Sequence, residues 1–233
     1  MKIKGFQKIS LIDYPGKIAC ILFLAGCNFR CGFCHNPELV LDKGHEIYSE
    51  NKILDFLEKR KNQLDGVCIT GGEPLLSLNL DFLKKIKELN YSIKIDTNGS
   101  FPEKLEEIID KKLVDFIAMD IKASKENYNA ITNSDVEINK IEKSIKLISN
   151  FGNYEFRTTI LKEVHTAEEV KKIAKWLNQI LGEKPRKLCL QGFKNKGKLL
   201  GEEYRNKKDV EEDYLRELKE AIKSDFEEVE IRS

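Results

Sequence analysis

At 233 residues the chain is long enough to bury a substantial core as one domain. Forty basic against 39 acidic side chains leave a net charge of +1, with no basic face, so nucleic acid is not expected as a partner. The longest apolar run, 18–25, is far too short to cross a bilayer, and the opening M-K-I-K-G-F-Q-K lacks the apolar centre of a signal peptide, so a cytoplasmic protein with no membrane partner is expected.

Residues 1–17 read as a segment before the first strand, with a turn at Asp13-Tyr14-Pro15-Gly16. Short β-rich runs then alternate with helical stretches. Strands are predicted over 18–25, 66–70, 92–97, 114–120, 154–161 and 187–192. Helices are predicted over 50–62, 79–89, 102–111, 137–149, 166–181 and 209–223, with Ser49, Asn79 and Thr166 as N-caps. Repeated strand-then-helix order argues for a parallel sheet with crossover helices. A doubly wound sheet and a β/α barrel both fit. No linker rich in Gly, Pro or Ser divides the chain, so 18–192 reads as the core and 193–233 as a C-terminal helix plus an added edge strand over 226–232.

Between the first strand and the first helix lies Cys27-x-x-x-Cys31-x-x-Cys34. Three thiolates so close can hold three corners of a [4Fe–4S] cubane, and the missing fourth leaves one iron open. Zinc sites usually show two separated pairs. A thioredoxin-like pair of Cys31 and Cys34 would leave Cys27 unexplained. Cys20, Cys68 and Cys189 stand singly in apolar strands and read as small buried hydrophobes. The chain has no further cysteine group, so an inserted ferredoxin-like module is not expected.

In β/α folds ligands sit at the C-terminal ends of the strands. Thr70-Gly71-Gly72-Glu73-Pro74 follows the second predicted strand, and its peptide groups with Glu73 can accept an amino-acid ammonium. Asp96-Thr97-Asn98-Gly99 ends the third strand and Asp120-Ile121-Lys122 the fourth. Turn chemistry alone explains such residues singly; successive strand ends in one sheet favour a site. Arg157, inside an apolar strand, is costly to bury without an anion. Gln191 closes the sixth strand as a candidate for the pocket rim. His35 directly follows the cysteines and reads as a loop-positioning residue. His45 reads as a loop residue, His165 as part of a cap region, and 194–198 as a solvated basic loop.

The spacing C-x-x-x-C-x-aromatic-C resembles the signature of the radical S-adenosylmethionine superfamily, and His35-Asn36-Pro37 resembles its glycyl-radical-enzyme activating branch. Among the groups of that branch the chain is most similar to the anaerobic ribonucleoside-triphosphate reductase activating proteins in their longer form. The resemblance implies a partial (β/α)6 TIM-like barrel as a single α/β domain over 1–233. It implies that Cys27, Cys31 and Cys34 ligate a [4Fe–4S] cluster whose open iron binds S-adenosylmethionine. Phe33 is then expected by the adenine, and Gly71, Gly72 and Glu73 at the methionine amino group. Lys122 is expected at the cofactor carboxylate and Arg157 at the carboxylate or ribose. Asp96, Thr97 and Asp120 are expected to frame a monovalent cation beside the cofactor, with Asn98 in the same segment. Asp13 is expected to bond the backbone of a target glycine loop.

The implied reaction is reductive cleavage of S-adenosylmethionine to a 5′-deoxyadenosyl radical, with ferredoxin or flavodoxin as reductant. Hydrogen is then abstracted from a glycine of a partner glycyl radical enzyme. Two rival readings stand beside it. One is radical chemistry on another peptide or a small heterocycle. The other is a non-catalytic electron-transfer protein, against which the G-G-E-P segment and the Asp96 and Asp120 segments count.

Overall fold

The computed structural model describes residues 1–43 and 47–233; His45 lies outside them. In chain order the elements are β1 (Ile3–Ser10), β2 (Ala19–Leu24), α1 (Pro37–Val40), α2 (Glu50–Lys59), β3 (Gly66–Gly71), α3 (Leu80–Glu88), β4 (Ser92–Thr97), α4 (Pro102–Asp110), β5 (Phe116–Asp120), α5 (Tyr128–Thr132), α6 (Ile138–Phe151), β6 (Tyr154–Ile160), α7 (Ala167–Leu181), β7 (Lys187–Gly192), α8 (Glu212–Ile222) and β8 (Glu228–Arg232).

Among the described residues the eight strands belong to one sheet whose spatial order equals chain order. That decides between the two architectures left open by the sequence. A doubly wound sheet reverses its strand order at a switch point, and none occurs here. Sequential β/α order is the topology of a β/α barrel.

The helices form where apolar spacing and caps agree. Ser49 accepts from the Lys52 N–H at 3.2 Å, Asn79 from Asp81 at 3.1 Å and Thr166 from Glu169 at 3.3 Å. α7 buries Val170, Ile173, Ala174 and Leu177 on one stripe.

Residues 1–17 differ from expectation, because they contain a strand of their own. β1 pairs antiparallel with β2, from Ile3↔Leu24 to Ser10↔Ala19. It is the first strand of the sheet and buries little beyond its ends, so its sequence shows no apolar run. β8 fills the predicted edge position and is tied to the sheet by charge. Arg232 makes a two-pronged contact with the buried Glu155 carboxylate at 3.0 and 2.8 Å, and Lys187 bridges Glu228 and Glu230.

The chain groups into two compact units interleaved along the sequence. The first comprises Met1–Asn28, Glu38–Thr97 and Glu103–Ile117; the second comprises Phe29–Pro37, Asn98–Pro102 and Ala118–Ser233. In the first, β2, β3 and β4 run parallel with Ala19, Gly66 and Ser92 level with one another. In the second, β6, β7 and β8 run parallel, with Gln191 of β7 between Thr159 and Arg232. Among the described residues no helix is long and apolar enough to cross a membrane.

Candidate cofactor site

In the first unit the C-terminal ends of β2 and β3 press together. The Gly72 N–H donates to the Leu24 carbonyl at 2.9 Å and the Glu73 N–H to the Gly26 carbonyl at 2.8 Å. A Cβ on Gly72 would lie 2.0 Å from the Gly26 oxygen, and one on Gly71 (φ +126°) 2.4 Å from the Leu24 backbone. The glycine pair is therefore required by backbone contact with the strand that leads into Cys27. The Glu73 carboxylate has no exposed surface. Its Oε1 accepts from the Leu75 N–H at 3.0 Å and from the Thr97 hydroxyl at 2.9 Å. Thr97 thus braces Glu73.

One residue earlier on the other strand face, Asp96 accepts from the Lys94 ammonium, which has 2% of its side chain exposed. Sequence reasoning missed Lys94. A lysine within a strand ordinarily turns outward, and only its inward partner at i+2 hints otherwise.

Asp13 does not join these residues. Its carboxylate hydrogen-bonds Ser10 Oγ, and Ser10 pairs with Ala19 at the N-terminal end of β2. Cys27 follows the C-terminal end, Leu24, so β2 separates the two. Antiparallel β1 returns the chain to the N-terminal end of β2, beside which Asp13 lies.

In the second unit the loop Phe29–Pro37 carries two of the thiols. The Cys34 N–H donates to the Cys31 carbonyl at 3.0 Å, and the Asn36 N–H to Cys34 Sγ at 3.4 Å. A later segment clamps this turn. Leu200 N–H donates to the Cys34 carbonyl at 3.1 Å and Gly201 N–H to the Gly32 carbonyl at 2.7 Å. Phe33 is buried edge-on to Tyr204, with ring centres 6.0 Å apart. His35 stacks on Phe193 at 5.7 Å, and its Nδ1 lies 3.2 Å from the Lys196 carbonyl. The loop read as merely solvated, 194–198, thus contributes a backbone contact to the cysteine loop. The signal in the sequence was the apolar pair Leu199-Leu200 followed by Gly201 and Tyr204.

The end of β5 gathers charge. Asp120 accepts from Lys122 Nζ at 2.8 Å and from Arg157 Nε at 3.0 Å. The three side chains are 27%, 14% and 13% exposed, in the order Asp120, Lys122, Arg157. Burial opposes the charge of Asp120, yet the Arg157 and Lys122 cations hold its carboxyl far below the usual carboxylate range. Two cations thus meet on one carboxylate. The same Lys122 acts on both thiols: burial pushes Cys31 and Cys34 up, and the Lys122 ammonium pulls each back toward thiolate.

His165 is fully buried. The Leu161 N–H donates to its Nδ1 at 3.0 Å, so the ring proton sits on Nε2, which donates to the Lys122 carbonyl at 2.9 Å. It is a positioning residue for the β5 end, where sequence reading saw a cap-region residue. Asn98 Oδ1 accepts from Ser100 N–H and Oγ at 3.0 and 2.6 Å, a turn that fixes the chain after β4. Gln191 is half-buried within β7.

The model of one family, the radical SAM superfamily, matches residues 21–177. The chain belongs to the radical SAM superfamily. Over 99% of its length, and 95% of the relative's, it is 33% identical to a Methanocaldococcus jannaschii protein named for glycyl-radical enzyme activation. It is 32% identical to the pyruvate formate-lyase-activating enzyme of Clostridium pasteurianum, over 65% of this chain and 64% of that one. A solved radical SAM methyltransferase from Sphaerobacter thermophilus superposes with a TM-score of 0.70 at 13% identity, covering 94% of this chain and 67% of that one, a likeness of fold.

The radical SAM family implies a [4Fe–4S] cluster and S-adenosylmethionine, and the donor types present suit both. None of Cys27, Cys31 and Cys34 is held in a disulfide. The Asn36 N–H aimed at Cys34 Sγ suits a sulfur carrying negative charge. The partly exposed Lys122 ammonium on Asp120 suits an amino-acid carboxylate. By contrast Cys20 and Cys189 are buried in strands, where burial pushes each thiol up to about 12, and no ligand role attaches to them.

Proposed function

We propose that this protein generates a glycyl radical on a partner protein, using a [4Fe–4S] cluster on Cys27, Cys31 and Cys34 together with S-adenosylmethionine. The observation that carries the reading is Lys122. Its ammonium rests on Asp120 beside Arg157, and it draws the Cys31 and Cys34 thiols toward thiolate against the effect of their burial. A cation so placed suits an amino-acid carboxylate held at an iron without a fourth thiolate. When bound, the cluster supplies one electron to the sulfonium of S-adenosylmethionine.

The chain itself binds, orients and excludes water. Lys122 receives the cofactor carboxylate, and Arg157 the carboxylate or ribose. Gly71, Gly72 and the Glu73 segment serve the amino group, with Thr97 bracing Glu73. Phe33 lies toward the adenine, while Asn98 and Gln191 shape the strand ends. Positioning then supplies much of the selectivity for one hydrogen atom.

The full-length relative named for glycyl-radical enzyme activation supports a protein target. Within this reading the target is anaerobic ribonucleoside-triphosphate reductase, the reductant is ferredoxin or flavodoxin, and the protein is a cytoplasmic oxidoreductase. The test is anaerobic reconstitution, reduction, and incubation with that reductase. The expected result is 5′-deoxyadenosine together with a glycyl-radical doublet in EPR. No 5′-deoxyadenosine above a cluster-free control overturns the chemistry. Cofactor cleavage with no radical on any glycyl radical enzyme of the same organism overturns the target.

A further inference from the structure

Each aspartate that the family resemblance assigns to a monovalent cation already bears a protein cation within its own unit. Asp120 bears Lys122 and Arg157, and Asp96 bears Lys94. Lys94 has no part in the reading above. It lies in β4 two residues before Asp96, so both side chains leave the same face of the strand. Beside it in register stands Cys68 of β3, its Sγ 3.7 Å from the ammonium. The aliphatic stem is enclosed and the head is turned onto the Asp96 carboxylate, with 2% of the side chain exposed. Burying an ammonium is costly unless a partner neutralises it, and Asp96 is that partner.

An ammonium has the charge of a potassium ion and nearly its size. It donates hydrogen bonds where an ion would take lone pairs. A further cation on Asp96 would stand against the Lys94 charge in a nearly dry interior, where repulsion is poorly screened. The residues present therefore do not fit an alkali-metal ion on Asp96. We infer that the Lys94 ammonium is the resident cation of Asp96, and that this protein has replaced an exchangeable ion by a covalently tethered one. The inference concerns the pocket of the proposed function but does not depend on what that pocket binds.

The first experiment is thermal melting of the cluster-free protein in potassium chloride, sodium chloride and choline chloride at equal ionic strength. Choline is too large for an ion site. Wild type is expected to melt alike in all three. Lys94→Met removes the ammonium from Asp96 and is expected to melt higher in potassium or sodium than in choline. The double variant Lys94→Met/Asp96→Asn removes both charges together and is expected to fold and to lose that salt preference. A saturable rise of the wild-type melting temperature with potassium or sodium, abolished in Asp96→Asn, overturns the inference. So does a Lys94→Met protein that folds and remains indifferent to the salt.

If Lys94→Met does not fold, the wild-type comparison still decides. A second measurement uses the cluster-loaded wild type and labelled S-adenosylmethionine in equilibrium dialysis. Affinity is expected to change by less than about twofold between potassium and choline, and a loss of about tenfold in choline overturns the inference. Absence of S-adenosylmethionine binding in either salt would instead count against the proposed function and leave the melting result standing.

Discussion

The ends of β4 and β5 carry similar residues to different effect. At β4 a lysine meets an aspartate in a nearly dry setting: Lys94 is enclosed and rests on Asp96. At β5 an aspartate meets a lysine and an arginine with all three side chains partly exposed. An enclosed pair organises the strand it sits on, whereas a group open to solvent is also within reach of a ligand. Exposure of the charges at each strand end therefore distinguishes the two ends more sharply than residue type does.

The largest effect expected from breaking this contrast is at Asp120. Asp120→Asn would leave Lys122 and Arg157 facing each other without their shared anion. Removing one member of a buried charge group costs about 3–5 kcal/mol, and partial exposure puts this case near 3. Urea unfolding would read the loss, and a loss under about 1 kcal/mol would mean that the triad is not coupled. Lys122→Met is milder for stability, because Arg157 still neutralises Asp120. It should instead weaken S-adenosylmethionine binding by about 10- to 100-fold, the worth of one charged hydrogen bond. Equilibrium dialysis with the loaded protein checks it, and unchanged affinity would move the carboxylate site elsewhere.

At the end of β4, Thr97→Val removes one donor from the buried Glu73 carboxylate. A stability loss of about 1–3 kcal/mol is expected from the unmade bond. Thr97→Ser should recover most of it, and failure to do so would make the effect one of packing.

The smallest effect is a pH dependence. Burial lowers the pKa of His165 below its ordinary 6.5. The unfolded chain therefore binds a proton more readily than the folded one. Stability from this group is full above pH 6.5 and falls as pH drops toward the folded value, by at most about 1.4 kcal/mol per pH unit. His165→Gln should flatten the wild-type melting curve between about pH 6.5 and 5. An identical pH slope in the variant would assign the loss to the carboxylates.

Much of this was legible in the sequence, for identifiable reasons. β2 and β3 are buried on both faces, so they read as continuous apolar runs. Ser49, Asn79 and Thr166 announced their helices, since a capping oxygen acts on the next turn of the same chain. The triad at Asp120 was half visible, because an arginine within an apolar strand demands an anion. What stayed hidden depends on contacts between distant segments. β1 shows no apolar run, because an edge strand with exposed residues does not need one. His165 declares itself only through the Lys122 carbonyl, 43 residues away. The inward turn of Lys94 follows from the company of Cys68 across the ladder, which no local pattern records.

The clamp on the cysteine loop has a consequence for how the protein is made. His35 and the Lys196 carbonyl that meets it are 161 residues apart in the chain. At about 5–20 residues per second, a ribosome exposes the thiols roughly 8–30 seconds before the segment that fastens them has been synthesised. During that interval the turn lacks Leu200, Gly201 and Tyr204. A cluster inserted then would meet a loose loop, whereas one inserted after release meets a fastened one. A nascent chain halted before Leu199 would hold the cysteine loop through the Arg30 contacts with Thr132 and Ser134 but without the later clamp.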